Sequence, residues 1–255
     1  MNHKLTKEWV RVRLPKRPKD ANKGTFGKVL VVAGSENYPG AAYLTCAACY
    51  RVGAGLVALV TEPEVKIIVS RKLPEVTFLS RQEALESINQ YNALLIGPGL
   101  AQGYQLPVAN LPPAVIDAGG LEWGTILNGE VILTPHPGEM ARLTGLTVQK
   151  IQLDRVNIAK LYAKKWNKIV VLKGANTVIA SPAGEMAISP FANPALATAG
   201  TGDVLAGVIA GFLAQGLDCF SAASVGVYIH GQAGEDISLA SDLLPLLPQI
   251  IKKLT

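Results

Sequence analysis

Short runs of β-branched and aliphatic residues recur along the chain, and nearly every run ends in glycine, proline or polar residues. Runs of this kind predict buried strands, at residues 28–33, 56–61, 93–96, 114–116, 131–133 and 169–172. Segments with helical spacing lie between several of them, at 41–52 and 154–166. Strands that alternate with helices indicate a mostly parallel sheet with helices on both faces. The predicted fold is therefore α/β.

The rest of the chain extends this pattern without a linker or an internal repeat. Residues 177–180 and 186–188 predict a hairpin at one edge of the sheet, joined by the turn at 181–184. Helices are predicted at 204–215, 221–234 and 243–254. A chain of 255 residues suits one large domain or two small ones, and the unbroken pattern favours a single domain over 1–255.

Composition and charge narrow the class of protein. The chain is 49% hydrophobic and 17% charged, which is typical of a soluble protein with an aliphatic core. The longest apolar stretch is about a dozen residues, too short for a membrane span. The N-terminus is charged from Lys4 and lacks the apolar region of a secretory signal. We therefore expect a cytoplasmic protein with no membrane partner.

The basic residues are concentrated at the N-terminus. Residues 1–28 contain nine Lys or Arg and two Asp or Glu, whereas the remaining residues have a slight acidic excess. This segment could be a nucleic-acid arm, or it could be an entry segment that faces an anionic small molecule. Trp9 is its only aromatic residue before Phe26, so we expect no nucleic-acid partner.

The cysteines do not suggest chemistry. Cys46 and Cys49 have the spacing of redox or metal pairs, but no second pair or nearby histidine completes a zinc site. Both lie in the predicted helix at 41–52, and Cys219 stands alone. We expect three buried thiols and no disulfide.

A glycine-rich turn, Thr198-Ala-Gly-Thr-Gly-Asp203, precedes the predicted helix at 204–215. Glycine allows a tight turn and leaves no side chain between the backbone N–H groups and a ligand. Because the N-terminus of a helix presents free N–H groups and a positive partial charge, this turn predicts an anion site, most plausibly for phosphate.

Asp203 in this turn allows two interpretations. It could be the N-cap of the helix, since aspartate is a favoured capping residue. It could instead be a general base that takes the proton of a substrate hydroxyl as its oxygen attacks phosphorus.

Two further loops carry polar residues at strand ends, where α/β proteins bind ligands. His136 lies between two prolines, which restrict the local backbone and the direction of the imidazole. It could be a site residue or a turn residue without a role. Glu139 could cap a helix that begins near Met140 or bind a magnesium ion beside phosphates. Lys173 and Gly174 could be a plain strand exit, hold a phosphate, or let a purine approach the backbone.

Together these stretches resemble the ribokinase-like NAD(P)H-hydrate dehydratases, which are ADP-dependent in most prokaryotes and ATP-dependent in eukaryotes. The matching stretches, in order, are KGTFGKVLVVAGS at 23–35, GAA at 40–42, GAGL at 53–56, GPGL at 97–100, TPHPGE at 134–139, VLKG at 171–174, TAGTGDVLAG at 198–207 and ASDL at 240–243. The resemblance implies a three-layer αβα fold with a mostly parallel sheet. It also implies repair of hydrated NADH and NADPH: a nucleotide phosphorylates the added hydroxyl, and phosphate then leaves.

The resemblance also implies roles for individual residues. Asp203 resembles the catalytic base, which also contacts the substrate, and the further substrate contacts are Ala42, Gly99 and His136. The implied nucleotide contacts are Lys173, Gly174, Ala175, Asn176, Thr177, Gly200, Thr201 and Gly202. Glu139 resembles a residue near a magnesium ion, and the co-substrate is ADP or ATP. The family further implies a homo-oligomer, a tetramer, that works with a separate NAD(P)H-hydrate epimerase.

The chain departs from the family pattern at three positions. Ala101 stands where a glycine is frequent, and Gly119 stands where the loop after residue 116 often has a second aspartate. Asn22 replaces a frequent histidine.

The main alternative is a small-molecule kinase of the same fold, of the hydroxyethylthiazole or hydroxymethylpyrimidine type, which would release a phosphorylated product. The loops at 97–99 and 136–139 favour the dehydratase. A non-catalytic nucleotide sensor would be expected to lack the base, and Asp203 is present.

Overall fold

A single ten-stranded sheet runs through the computed structural model, which describes residues 2–18, 20–21, 24–107 and 111–255. The strands, in chain order, are β1 Asn2–Lys4, β2 Lys28–Val32, β3 Leu56–Val60, β4 Thr77–Phe78, β5 Ala93–Ile96, β6 Ala114–Ile116, β7 Val131–Leu133, β8 Ile169–Leu172, β9 Val178–Ala180 and β10 Met186–Ile188. Their order across the sheet is β1-β10-β9-β8-β7-β6-β5-β2-β3-β4. Only β9 is antiparallel to its neighbours.

Helices cover both faces of this sheet. They are α1 Lys7–Arg11, α2 Pro39–Arg51, α3 Pro63–Lys72, α4 Arg81–Ser87, α5 Leu121–Ile126, α6 Pro137–Thr144, α7 Val148–Leu153, α8 Arg155–Trp166, α9 Thr201–Ala214, α10 Cys219–Ala233 and α11 Leu243–Leu254. The alternation of side chains along a strand explains both layers. In β2, Val29 and Val31 join the core beneath α2, α9 and α10, whereas Leu30 and Val32 join the core beneath α4 and α5.

The three-layer α/β architecture predicted from the sequence is thus confirmed, with its mostly parallel sheet and the antiparallel pair of β9 and β10. The predicted edge position of this hairpin is wrong, because β1 pairs with β10 on its outer side. The sheet takes strands from residues 2 to 188, which is consistent with one domain, although the domain count itself stays a prediction. The sequence did not reveal the strands β1 and β4 or the helices α1, α3, α4, α5 and α7, because short or half-exposed elements give a weak pattern.

The N-terminal basic segment is part of the folded structure. Strand β1 pairs with β10 at the edge of the sheet, and Val10 and Leu14 are buried. The guanidinium of Arg17 lies 4.0 Å from the centre of the Phe26 ring. The described part of this segment is therefore not a free arm. Asn22, one of the departures from the family pattern, and Lys23, the first residue of the first matching stretch, lie outside the described residues.

The interior position of α9 is fixed by close packing on α2. Cys49 donates a hydrogen bond from its thiol to the carbonyl of Gly207, and a β-carbon at Gly207 would collide with the carbonyl of Thr45. Cys46, Cys49 and Cys219 are buried free thiols, as expected, and burial raises the pKa of each. In α9 every residue is buried except Gly202 and Asp203.

No helix in the described part of the chain combines the length and the apolar character needed to cross a bilayer.

Candidate active site

The loops that follow β5, β6, β7 and β8 meet the N-terminus of α9 at one edge of the sheet. This position follows from topology, because the four strands are neighbours and parallel, so that their carboxyl ends lie side by side. Ligand sites of open α/β sheets form at this edge. The predicted loops at 97–99, 134–139 and 173–177 therefore come together with the glycine turn.

Lys173 lies at the centre of a cluster of charged side chains formed with Asp117, Glu139 and Asp203. Its Nζ lies 2.8 Å from Oδ1 of Asp117 and 3.8 Å from Oε2 of Glu139. The hydroxyl of Thr134 donates a second hydrogen bond, of 2.7 Å, to the same oxygen of Asp117. Burial alone would lower the pKa of Lys173, but the negative charges of Asp117, Glu139 and Asp203 outweigh it, so the pKa is raised. Lys173 is therefore a partly buried cation at neutral pH.

Asp203 is the third residue of α9 and does not cap it. The N-cap is Gly200, and no side chain there accepts a capping hydrogen bond, so the capping interpretation of Asp203 is wrong. Burial, followed by the negative charge of Asp117, raises the pKa of Asp203 to about 7, against the opposing effect of Lys173. A carboxylate with a pKa near neutrality is suited to accept a proton.

The glycine turn adopts the conformation that the sequence suggested. Gly200 has a φ of 90°, in the left-handed region where side chains are disfavoured. A β-carbon on Gly202 would lie 3.3 Å from Nζ of Lys173. The N-terminus of α9 and the Lys173 ammonium thus border the same space, which makes it a favourable position for an anion.

A pocket of about 640 Å³ opens on one side of this turn. Of the predicted nucleotide contacts, those that line it are Lys173, Gly174, Ala175, Thr177, Thr201 and Gly202. Phe191, Leu196 and Val227 give it an apolar wall. Asn176 and Gly200 do not line it: the Asn176 amide donates to the carbonyl of Ser189, and Gly200 forms the turn.

A second pocket, of about 370 Å³, lies on the other side. Its lining includes Asp203 and Gly99, two of the predicted substrate contacts, together with Glu139. Ala42 is fully buried, and the adjacent Ala41 reaches the pocket in its place. The two pockets meet at consecutive residues of α9, because Gly202 lines the first and Asp203 the second.

His136 lines the first pocket and not the second. It is the N-cap of α6: its Nδ1 accepts hydrogen bonds from the backbone N–H groups of Gly138 and Glu139. Oε2 of Glu139 in turn accepts a 2.7 Å hydrogen bond from the backbone N–H of His136. The side chain of His136 is 54% exposed and that of Glu139 is 11% exposed. The structure thus places His136 at the entrance, with the predicted nucleotide contacts.

The described residues contain no group of three or more His, Cys, Asp or Glu side chains arranged to hold a metal ion. Glu139, the predicted magnesium neighbour, already interacts with His136 and Lys173. The residues present therefore fit a magnesium ion that takes most of its ligands from phosphate oxygens and water, which is how Mg²⁺ usually binds beside transferring phosphates.

Sequence reasoning missed three residues of this site. Asp117 could have been found, because it directly follows the strand β6. His230 had no local signal: its Nε2 lies 2.9 Å from the carbonyl of Thr201, and burial lowers its pKa to about 4, so the neutral ring donates to the turn. Arg142 lines the second pocket from α6 and was equally hidden.

Two of the departures from the family pattern lie against each other. A β-carbon on Gly119 would collide with the carbonyl oxygens of Leu100 and Ala101. Both Ala101 and Gly119 line the second pocket. With the backbones this close, an aspartate at 119 would require the loop at 100–101 to move.

Comparison with known proteins supports the family resemblance that the sequence motifs suggested. A family model described as NAD(P)H-hydrate dehydratase matches residues 29–255. The bifunctional NAD(P)H-hydrate repair enzyme Nnr of Moorella thermoacetica is 41% identical over 98% of this chain and 54% of its own length. The chain thus spans about half the length of such bifunctional relatives. The ADP-dependent (S)-NAD(P)H-hydrate dehydratase of Bacillus subtilis is 38% identical, over 97% of both proteins.

Solved structures with a similar fold support the same family. The crystal structure of the ADP/ATP-dependent NAD(P)H-hydrate dehydratase of Bacillus subtilis, co-crystallised with ATP and Mg²⁺, matches with a TM-score of 0.89 and 37% identity over 98% of each chain. Ribokinase of Thermotoga maritima matches with a TM-score of 0.59 and 15% identity, over 88% of this chain and 99% of its own. The latter similarity concerns the fold alone and confirms that it is ribokinase-like.

Proposed function

The chain belongs to the NAD(P)H-hydrate dehydratase family, and on this premise we propose that it restores NADH and NADPH from their hydrated S-forms with ADP or ATP as the phosphoryl donor. The observation that carries the proposal is the contact of two pockets at Gly202 and Asp203. A nucleotide in the first pocket and a hydrated nicotinamide ring in the second would bring the terminal phosphate and the hydroxyl together there.

Each residue at the junction has a chemical task in this reaction. Asp203 takes the proton of the hydroxyl while the hydroxyl oxygen attacks the terminal phosphorus and the bond to the leaving nucleotide breaks. The N-terminus of α9 and the Lys173 ammonium stabilise the negative charge on the transferring group. A bound magnesium ion would supply further charge neutralisation on the phosphate oxygens, and Glu139 is the residue that would help to hold it.

Phosphorylation gives the dehydration its leaving group. Hydroxide leaves poorly, whereas phosphate leaves readily when the ring nitrogen donates its electron pair. The carbon–oxygen bond then breaks, and loss of a proton from the adjacent ring carbon restores the double bond. The products are NADH or NADPH, one free phosphate, and AMP from ADP or ADP from ATP.

We further propose the finer features that the family relationship suggests. These are a magnesium requirement, a homo-oligomeric (tetrameric) assembly, a cytoplasmic location and a functional link to an NAD(P)H-hydrate epimerase. The bifunctional name of the longer relatives supports the last of these.

One reaction tests the proposal. Purified protein is mixed with hydrated NADH and either ADP or ATP, with magnesium or with excess chelator, while NADH absorbance and free phosphate are followed together. We expect one NADH and one phosphate for each nucleotide consumed, and no turnover with chelator. Recovery of NADH at full rate without nucleotide would refute the mechanism, and a stable phosphate ester without NADH would indicate the kinase alternative.

A further inference from the structure

The second pocket contains a cation that the reaction described above does not use. Among the described residues that line this pocket, Arg142 is the one cationic side chain, and Glu139 and Asp203 are the acidic ones. Arg142 lies three positions after Glu139 in α6, so the two side chains project from the same face, one turn apart. Asp203 lies where the two pockets meet, whereas Arg142 interacts with Glu122 of α5.

The charge balance of the pocket indicates the purpose of this cation. Hydrated NADH and NADPH both carry a diphosphate beyond the nicotinamide ribose. Lys173 already offsets the two carboxylates where the pockets meet, but a dianion held beyond the ring needs a positive charge of its own in the second pocket. Arginine is well suited to the task, because its planar guanidinium can donate two parallel hydrogen bonds to phosphate oxygens.

The ion pair of Arg142 with Glu122 leaves the guanidinium able to bind a ligand. Its Nε lies 3.2 Å from Oε1 of Glu122 in α5, with side-chain exposures of 32% for Arg142 and 50% for Glu122. Such partly exposed pairs contribute little to stability. The guanidinium can therefore exchange this contact, or share it, at small cost when a diphosphate arrives.

We infer that Arg142 is a substrate-specificity residue that binds the diphosphate of hydrated NADH and NADPH while the hydrated ring lies against Asp203. This inference rests on the proposed function. It assigns the second pocket to dinucleotides and predicts that a mononucleoside form of the hydrate is a poor substrate.

The matched variants are Arg142→Gln, Arg142→Lys and Glu122→Gln. In Arg142→Gln we expect the KM for both hydrated dinucleotides to rise about 10- to 100-fold, the range for loss of charged hydrogen bonds, with kcat and the KM for nucleotide nearly unchanged. Arg142→Lys keeps the positive charge but lacks the planar guanidinium, so its KM should lie between those of Arg142→Gln and the wild type. Glu122→Gln removes the same ion pair but keeps the cation, so its KM should equal or fall below that of the wild type.

A binding measurement separates this inference from the proposed function. Unmodified NADH carries the same diphosphate but has no hydroxyl to phosphorylate, so its affinity can be titrated by calorimetry with ATP present to fill the first pocket. We expect Arg142→Gln to weaken NADH binding and Glu122→Gln to leave it intact. If the wild type binds NADH in this way but does not turn over the hydrate, the proposed function fails and Arg142 is still tested.

Three results would overturn the inference. The first is an unchanged KM and an unchanged NADH affinity in Arg142→Gln. The second is an equal loss in Arg142→Gln and Glu122→Gln, which would make the ion pair a mere link between α5 and α6. The third is a loss confined to hydrated NADPH, which would place Arg142 at the 2′-phosphate.

Discussion

The ammonium of Lys173 lies 2.8 Å from Oδ1 of Asp117, although the two residues are 56 positions apart in the chain. Asp117 is buried and Lys173 is partly buried, and the hydroxyl of Thr134 donates a hydrogen bond to the same carboxylate oxygen. This contact fixes a cation beside Gly202, at the point where the two pockets meet.

Asp117→Asn tests the electrostatic role of this pair. Because Asp117 raises the pKa of Asp203, its neutralisation should move the acidic limb of the pH–kcat profile to lower pH. The fall in kcat at neutral pH should stay near 10-fold or less, well short of the loss expected for a missing general base. Thr134→Val is the matched control, because it removes the hydrogen bond to Asp117 but keeps the charge. An equal displacement of the profile in Thr134→Val would contradict the electrostatic explanation.

Asp203→Asn should abolish most of the turnover. The amide keeps the shape of the side chain but cannot take a proton, and general-base assistance accounts for about 10²–10⁴ in rate. Nucleotide affinity, measured by calorimetry, should remain close to that of the wild type. Asp218→Asn, at the N-cap of the neighbouring α10, is the control and should retain normal kcat. A folded Asp203→Asn variant with near-normal kcat would remove Asp203 from the mechanism.

The same substitution should change stability in a pH-dependent way. The ordinary pKa of aspartate is 3.8, and the folded-state pKa of Asp203 is about 7. Below the ordinary value Asp203 is protonated in both states, so its ionisation has no cost. As the pH rises towards the folded-state value, the unfolded chain ionises freely while the folded one resists, so wild-type stability falls.

Asparagine has no such ionisation. We therefore compare the melting temperatures of Asp203→Asn and the wild type, both without ligands. The difference, variant minus wild type, should increase between about pH 4 and pH 7 and stay constant at higher pH. Several degrees are expected for a protein of this size. A pH-independent difference, measured by scanning calorimetry from pH 4 to 9, would show that Asp203 has an ordinary pKa.

Gly202→Val should weaken nucleotide binding by about 10-fold or more, because its side chain would fill the space between the N-terminus of α9 and Lys173. Gly40→Ala is the control: Gly40 also lies in the first turn of a helix, and a β-carbon there meets nothing within 4 Å. Its nucleotide affinity should be unchanged. Equal affinity in Gly202→Val and the wild type, by calorimetry with ATP, would mean that phosphate does not bind at this turn.

Much of this molecule follows from local patterns in the sequence. The strands β2, β3 and β5–β10 and the helices α2, α8, α9, α10 and α11 were predicted because apolar periodicity and glycine-bounded turns report on neighbouring residues. The glycine turn before α9 was recognisable for the same reason, since its conformation depends on the glycines themselves. Short edge strands such as β1 and β4 were not predicted, because pairing with a distant strand decides them.

The arrangement of the site was decided only by the tertiary structure. Four separate segments bring Asp117, Glu139, Lys173 and Asp203 together, and the raised pKa of Asp203 arises from burial and from charges that are distant in sequence. The packing of α6 likewise decides that His136 lines the first pocket and that Arg142 lines the second. Desolvation and Coulomb interactions depend on distances in space, whereas sequence patterns describe only neighbours along the chain.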